Sequence, residues 1–357
     1  MQYIYMKTTE PMKKSIVLLL SALSLLACKQ EIKTYEISAG DISLKVTNFG
    51  ARVMSLTAPD RDGNSANIVI GHKTAREYIN PAGERFLGAC VGPVANRIGG
   101  AQFEVDGVVY HTPVNDNGHN TLHGGFKGVD NLVWDIQALS DSSIRFHLLH
   151  PDGLEGYPGN LDITMTYALT SRDEFVITYL ATTDKATPVN ITHHPFFCLR
   201  GDGQGSVEEY LMQINASHYI PIDAESIPTG EIAPVEGTPF DFRQPHLIGE
   251  RIGFDNEQLR NARGYDHNWC IDKTTEGVEQ VCCVYDPVSG RYVEVLSDQP
   301  GLQFYSGNFF TGDEYRFSLA LETQKYPDAV NHPDFTPVIL RPGETYTHTC
   351  IYRFGVR

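Results

Sequence analysis

The feature that most constrains this chain is a two-residue rhythm of apolar and polar side chains that returns along most of its length. Leu161, Ile163, Met165, Tyr167 and Leu169 alternate with Asp162, Thr164, Thr166, Ala168 and Thr170. Ile42, Leu44 and Val46 alternate with Ser43, Lys45 and Thr47; Ile144, Phe146 and Leu148 repeat the pattern, and so do Tyr346, His348, Cys350, Tyr352 and Phe354. Successive side chains of a strand point to opposite faces, so each run predicts a strand with one face in a core. Turn chemistry separates the runs: Asp60-Arg61-Asp62-Gly63-Asn64, Asp106-Gly107, Asp152-Gly153, Asp286-Pro287 and Arg341-Pro342-Gly343. Helical spacing is scarce, with one short candidate over 255–263. No strand–helix–strand alternation argues for a Rossmann fold or an α/β barrel. The 357 residues exceed the usual size of one domain, yet large sandwiches do so routinely, and 41% hydrophobic residues suffice for one large core. The expectation is an all-β fold, a single large antiparallel β-sandwich over 29–357, patterned from about residue 32 onward.

The start of the chain reads differently. Lys13 and Lys14 precede the apolar run Ile16 to Leu26, the charged and apolar parts of an export signal. That run is shorter than the ~20 apolar residues of a membrane-spanning helix. It ends in Leu25-Leu26-Ala27-Cys28, which resembles the bacterial lipobox, where the cysteine becomes the acylated N-terminus. The expectation is a signal segment over 1–28 and lipidation at Cys28, which would leave the protein exported, periplasmic or at the cell surface, and tied to a membrane through lipid alone. Met12-Lys13-Lys14 reads as a more natural start than Met1. Cys90, Cys198, Cys270, Cys282, Cys283 and Cys350 show no paired CxxC spacing for zinc and sit mostly in apolar runs, so most are expected to be buried free thiols. A net charge of −16 argues against a nucleic-acid partner.

Several loop-like segments carry polar and aromatic residues that a core does not need. They are Gly92-Pro93-Val94-Ala95-Asn96-Arg97-Ile98-Gly99, Asn120-Thr121-Leu122-His123-Gly124-Gly125, the segment from Asp152 to Gly159, Asn190-Ile191-Thr192-His193-His194-Pro195-Phe196-Phe197, Gly264-Tyr265-Asp266-His267-Asn268, Gln303-Phe304-Tyr305-Ser306-Gly307-Asn308, and the segment from Leu321 to Asp328. Charged and amide groups suit sugar hydroxyls, and aromatic faces suit the C–H side of a sugar ring.

In their motifs and order these segments resemble the aldose 1-epimerase (galactose mutarotase) family over about 40–355. The resemblance implies a galactose mutarotase-like β-supersandwich and a small-molecule aldose substrate whose α and β anomers are interconverted, with no cofactor and no metal. It implies Glu322 as the base that takes the anomeric O1 proton, His194 as the acid that protonates the ring oxygen, and His123 as a group that polarises or orients this region. Arg97 and Asp266 match residues that hydrogen-bond sugar hydroxyls, and Asn96 and Tyr305 are further substrate-binding candidates; Tyr305 and Phe304 could equally be strand core. Two departures stand out: His193 precedes His194 where many members have Asn, and Leu154 replaces an acidic residue in the Asp152–Gly159 segment.

Other readings are weaker. A glycoside hydrolase could use Asp266 and Glu322 as its carboxylate pair. A sugar-binding lipoprotein could share the fold without catalysis. A phosphorylated sugar would call for an arginine cluster, and only Arg97 stands among the site segments. His123, His193, His194 and His267 lack the spacing of a metal motif, and Asp60 to Asn64 begins like a calcium loop without its closing acid.

Overall fold

The computed structural model describes residues 31–357, so the signal and lipidation readings, Cys28 included, lie outside the described residues. Three of the alternating runs, at 144–148, 161–169 and 346–354, lie in a nine-stranded antiparallel sheet, in the order Asp135–Leu139, Ser143–His150, Leu161–Leu169, Glu174–Thr183, Tyr346–Val356, Arg291–Ser297, Glu279–Tyr285, Leu211–Ile214 and His246–Leu247. Register places Phe146, Met165, Tyr179 and His348 opposite one another on four neighbouring strands, and all four are buried. Each fully buried Ile, Leu or Phe of such a row stabilises the fold by about 1.5–3 kcal/mol.

A six-stranded sheet faces this one, in the order Phe196–Phe197, Leu319–Gln324, Gly301–Tyr305, Asp266–Cys270, His218–Ile220 and Ala233–Pro234. One hydrophobic cluster holds both sheets together, with Tyr167, Phe175 and Tyr352 from the first and Phe197, Leu302, Leu319 and Leu321 from the second. Tyr352 Oη–H donates to Leu321 O across the gap at 2.7 Å. The four-stranded sheet Thr34–Ala39, Ile42–Thr47, Arg52–Pro59 and Ser65–Asn67 adds Leu44, Val46 and Leu56 to the same cluster.

Local chemistry meets the sequence expectations in detail. Asp106 and Gly107 take φ of 52° and 80° between the paired strands Gln102–Val105 and Val108–His111, the left-handed pair a two-residue hairpin needs. Asp60 Oδ1 accepts from the backbone N–H groups of Asp62 and Asn64, so that segment is a turn. The one α-helix among the described residues, Glu257–Ala262, is capped by the Asn256 side chain and ends at Arg263 in the left-handed region. All six cysteines of the described residues are free, five buried and Cys283 half-buried.

Candidate active site

In the six-stranded sheet the alternation disappears: Gly301–Tyr305 and Leu319–Gln324 are buried at every position. One face of these strands packs on the core through Phe304, Leu319 and Leu321. The other forms the floor of an open cleft of about 500 Å³, within the range of small-molecule sites.

Strand register builds that floor. Asp266 lies opposite Tyr305, Asn268 opposite Gln303, and Gln303 opposite Glu322. The short strand Thr192–His194 pairs with Ala89–Val91 and brings His194 in from the side, while Arg97–Ile98 pairs with Thr121–Leu122 and delivers Asn96, Arg97 and His123 to the wall. Gly124 is required here: its φ is 85°, and a Cβ would lie 2.0 Å from Gly92 O. All seven cleft candidates from the sequence, Glu322, His194, His123, Arg97, Asp266, Asn96 and Tyr305, line this one cleft. Phe304 is core, whereas Tyr305 faces the cleft and its hydroxyl accepts from Phe309 N–H at 2.8 Å.

The central contact is His194 Nε2 to Glu322 Oε1 at 3.3 Å. Both side chains are nearly sealed from solvent, at 8% and 2% exposure. Burial, reinforced by the negative neighbours Asp266 and Glu84, pushes the Glu322 carboxyl well above the ordinary carboxylate range, with Arg97 opposing. Burial pushes His194 down to about 3. Both shifts disfavour isolated charges, while the contact itself favours a carboxylate beside an imidazolium. Burial therefore favours the uncharged pair with the proton on Glu322, and only the attraction across the contact helps the carboxylate–imidazolium form.

His123 is fixed differently. Asn96 N–H donates to His123 Nδ1 at 3.0 Å, and His123 N–H returns a bond to Asn96 O at 2.9 Å. A ring nitrogen that accepts leaves the proton on the other, so the neutral ring carries its hydrogen on Nε2. Burial holds the imidazole well below its usual pKa, with His194 and Arg97 adding to the effect. Phe86 packs edge-on against this ring at 4.5 Å.

The fold also brings ligand atoms of His123, His194 and Glu322 within 4.8 Å of one another, a closeness that their sequence spacing did not reveal. They are poorly set to share a metal ion. The only lone pair of His123 already faces Asn96 N–H, and ligation through Nε2 would turn that bond into two opposed donors.

Arg97 makes the structural pairing its sequence allowed, with Nε donating to Asp116 Oδ2 at 2.9 Å, and its side chain lines the cleft. Asp266 Oδ1 accepts from Gln303 Nε2 at 2.8 Å. Burial raises its carboxyl, and Arg97 and the Gln303 bond counter the rise. Sequence reasoning missed Glu84, Phe86 and Phe309 in the lining and Asp116 and Gln303 behind it. Gln303 had a signal, a polar residue inside an apolar strand; Glu84 and Asp116 lie in ordinary polar loops. Two features place the Glu84–Phe86 wall. Glu84 Oε1 accepts from Phe86 N–H, and Arg85 pairs with buried Asp130, which Arg52 also contacts.

His193 points away from the cleft. It lies on the opposite face of its strand and packs against Tyr167 and Phe175, with ring centroids 5.5 and 6.1 Å away. Neither of its ring nitrogens hydrogen-bonds to His194. Glu155 is a structural acid whose Oε2 accepts from Phe126 N–H at 2.7 Å.

Together the fold and the site define a β-sandwich protein with a buried carboxylate–imidazole pair on the floor of an open polar cleft. Comparison with known proteins gives the group to which it belongs. The family described as aldose 1-epimerase matches residues 33–353. Galactose mutarotase of Rattus norvegicus is 39% identical over 335 residues, covering 91% of this chain and 94% of that protein. Aldose 1-epimerase of Escherichia coli K12 is 37% identical, covering 86% and 90%. Among solved structures, an aldose epimerase homologue from C. elegans superposes with a TM-score of 0.83 at 26% identity, covering 91% of this chain and 99% of that one. Galactose 1-epimerase from Lactobacillus acidophilus gives 0.77 at 26% identity and the same coverage. The chain belongs to the aldose 1-epimerase family.

Proposed function

We propose that the protein is an isomerase that interconverts the α and β anomers of a free aldose, with Glu322 as base and His194 as acid. The observation that carries the residue roles is the 3.3 Å approach of Glu322 Oε1 to His194 Nε2. In a cyclic aldose, O1 and the ring oxygen are bonded to the same carbon, so the groups that serve them must be neighbours. Glu322 takes the proton from O1, and the O1–H electron pair forms the carbonyl. The C1–ring oxygen bond breaks, its electrons pass to the ring oxygen, and His194 supplies the proton there. Rotation about C1–C2 followed by the reverse steps closes the other anomer, with no net gain or loss of protons. Each positioned acid or base contributes roughly 10²–10⁴-fold. His123 Nε2–H is a neutral donor suited to an oxygen on which negative charge develops. Arg97, Asp266 and Asn96 have the donors and acceptors to hold hydroxyl groups, and Tyr305 adds an aromatic surface.

The test is polarimetry on freshly dissolved α-D-glucose or α-D-galactose with the protein from Lys29 onward. Relaxation faster than the sugar alone is expected; an unchanged rate refutes the reading and leaves simple sugar binding. The hydrolase alternative is not favoured. It would need release of product from an aryl glycoside, and hydrolysis gives no reason for base and acid to touch.

The export and anchoring expectation belongs to the same reading. The support is the Lys13–Cys28 segment, and no helix among the described residues is long and apolar enough to cross a membrane. Cys28→Ser should move the protein from the membrane to the soluble fraction; continued sedimentation with membranes would refute the lipid anchor.

A further inference from the structure

The approach of His194 to Glu322 has an unusual basis. Among the described residues no ladder pairs Thr192–His194 with Leu319–Gln324: the first strand pairs with Ala89–Val91, the second with Gly301–Tyr305 and, beyond Pro195, with Phe196–Phe197. Pro195 has no N–H to continue a ladder through this point. The Phe196–Ala320 ladder ties the two segments two residues away from each catalytic group, and at Thr192–His194 itself the link to the base strand is made by side chains.

Those side chains come mainly from the last strand of the other sheet. His348 Nδ1 lies 3.0 Å from Ile191 O, and because a carbonyl only accepts, Nδ1 carries the proton. Nε2 is then the acceptor, and Thr323 Oγ1–H donates to it at 2.9 Å. Thr323 adjoins Glu322, and Ile191 lies three residues before His194 on the same extended segment. Two neighbours on the His348 strand repeat the arrangement. Tyr346 Oη accepts from Ile191 N–H and donates to Ile191 O, both at 3.2 Å, and Tyr352 Oη donates to Leu321 O at 2.7 Å. Directly between the catalytic segments, Thr192 Oγ1 donates to Thr323 O at 2.7 Å. His348 is 1% exposed and stacks on Tyr179 at 4.7 Å and 17°, so its ring cannot swing away.

We propose that His348 and Thr323 form a positioning clamp that sets the distance between the catalytic acid and base, with His348 as the residue that ties both segments to the facing sheet. Neither lines the cleft. The inference rests on the assignment of Glu322 and His194 given above, and it adds residues that act through them. A neutral imidazole suits the task because it donates on one edge and accepts on the other, which neither a lysine nor a carboxylate can do.

The test compares Thr323→Val, Thr323→Ser and the double variant Thr323→Val/His348→Phe by polarimetric kinetics and thermal unfolding. A misplacement near 1 Å can cost on the order of 100-fold in rate. The clamp therefore predicts that Thr323→Val lowers kcat by about 10-fold or more with KM little changed, and that Thr323→Ser restores kcat. In the double variant both members of the Thr323–His348 bond are gone and Ile191 O keeps the Tyr346 hydroxyl as donor, so no buried group is left unsatisfied and the fold recovers stability; kcat stays low nonetheless. Wild-type kcat in Thr323→Val, or recovery of kcat together with stability in the double variant, overturns the clamp. An inactive wild-type protein would overturn the acid–base assignment beneath it, so the two failures are distinct.

Discussion

Replacing Glu322 by Gln separates chemistry from folding unusually well. The side chain is 2% exposed, its Oε2 has no hydrogen-bond partner, and burial with two negative neighbours raises its pKa well above the usual value. The resting protein thus already favours an uncharged group at this position. Gln has the same shape and is always uncharged, so Glu322→Gln should unfold at the wild-type temperature or slightly above. Its effect on rate is different. Loss of a positioned base removes roughly 10²–10⁴-fold, which at 1.36 kcal/mol per factor of ten is about 2.7–5.4 kcal/mol of barrier. The base works only when deprotonated. The wild-type rate should therefore rise with pH through a limb lying above the ordinary carboxylate value of 4.5, and that limb should vanish in the variant. Polarimetry of α-D-galactose across pH, alongside circular dichroism melting, checks both halves. A Glu322→Gln protein within threefold of wild-type kcat, or one that loses activity only by unfolding, would refute the reasoning.

Three other outcomes follow from the same geometry. Asp116→Asn removes the charge that holds Arg97 Nε, so KM for aldoses should rise several-fold with kcat nearly constant; an unchanged KM would show that Arg97 needs no such support. Glu84, Asp266 and Glu322 place three carboxyl groups around the cleft beside Arg97. Glu84→Gln keeps an oxygen for Phe86 N–H, and at pH 8 it should lower KM for a hexuronate relative to a neutral hexose, a ratio that steady-state kinetics reads directly. Burial depresses His193 and His267 to about 3 and His150 to about 4. The unfolded chain binds protons at these groups first, so stability falls as pH drops below about 6.5, by about 1.4 kcal/mol per pH unit for each group. His193→Phe should flatten the dependence of urea midpoints on pH between 6.5 and 4, and an unaltered slope would count against a neutral His193.

Local pattern determined much of the architecture. Strands with one covered face declare themselves, because only one set of alternate side chains leaves water; Leu161–Leu169 and Tyr346–Val356 were legible for that reason. The Asp106-Gly107 hairpin and the short capped helix were legible because their chemistry lies within a few residues. The cleft motifs were visible as residue types out of place in a core, and all seven cleft candidates meet there. What tertiary structure alone decided is relational. Gly301–Tyr305 and Leu319–Gln324 carry a core on one face and a site on the other, which no two-residue rhythm announces. Glu84 and Asp116 acquire meaning only from the cleft they face. The Nε2–H tautomer of His123 depends on the Asn96 backbone, and the turn of His193 into the core depends on strand parity. The contact between His194 and Glu322 arises where two sheets meet: hydrogen bonds and charges act over a few ångströms of space, and separation along the chain says nothing about them.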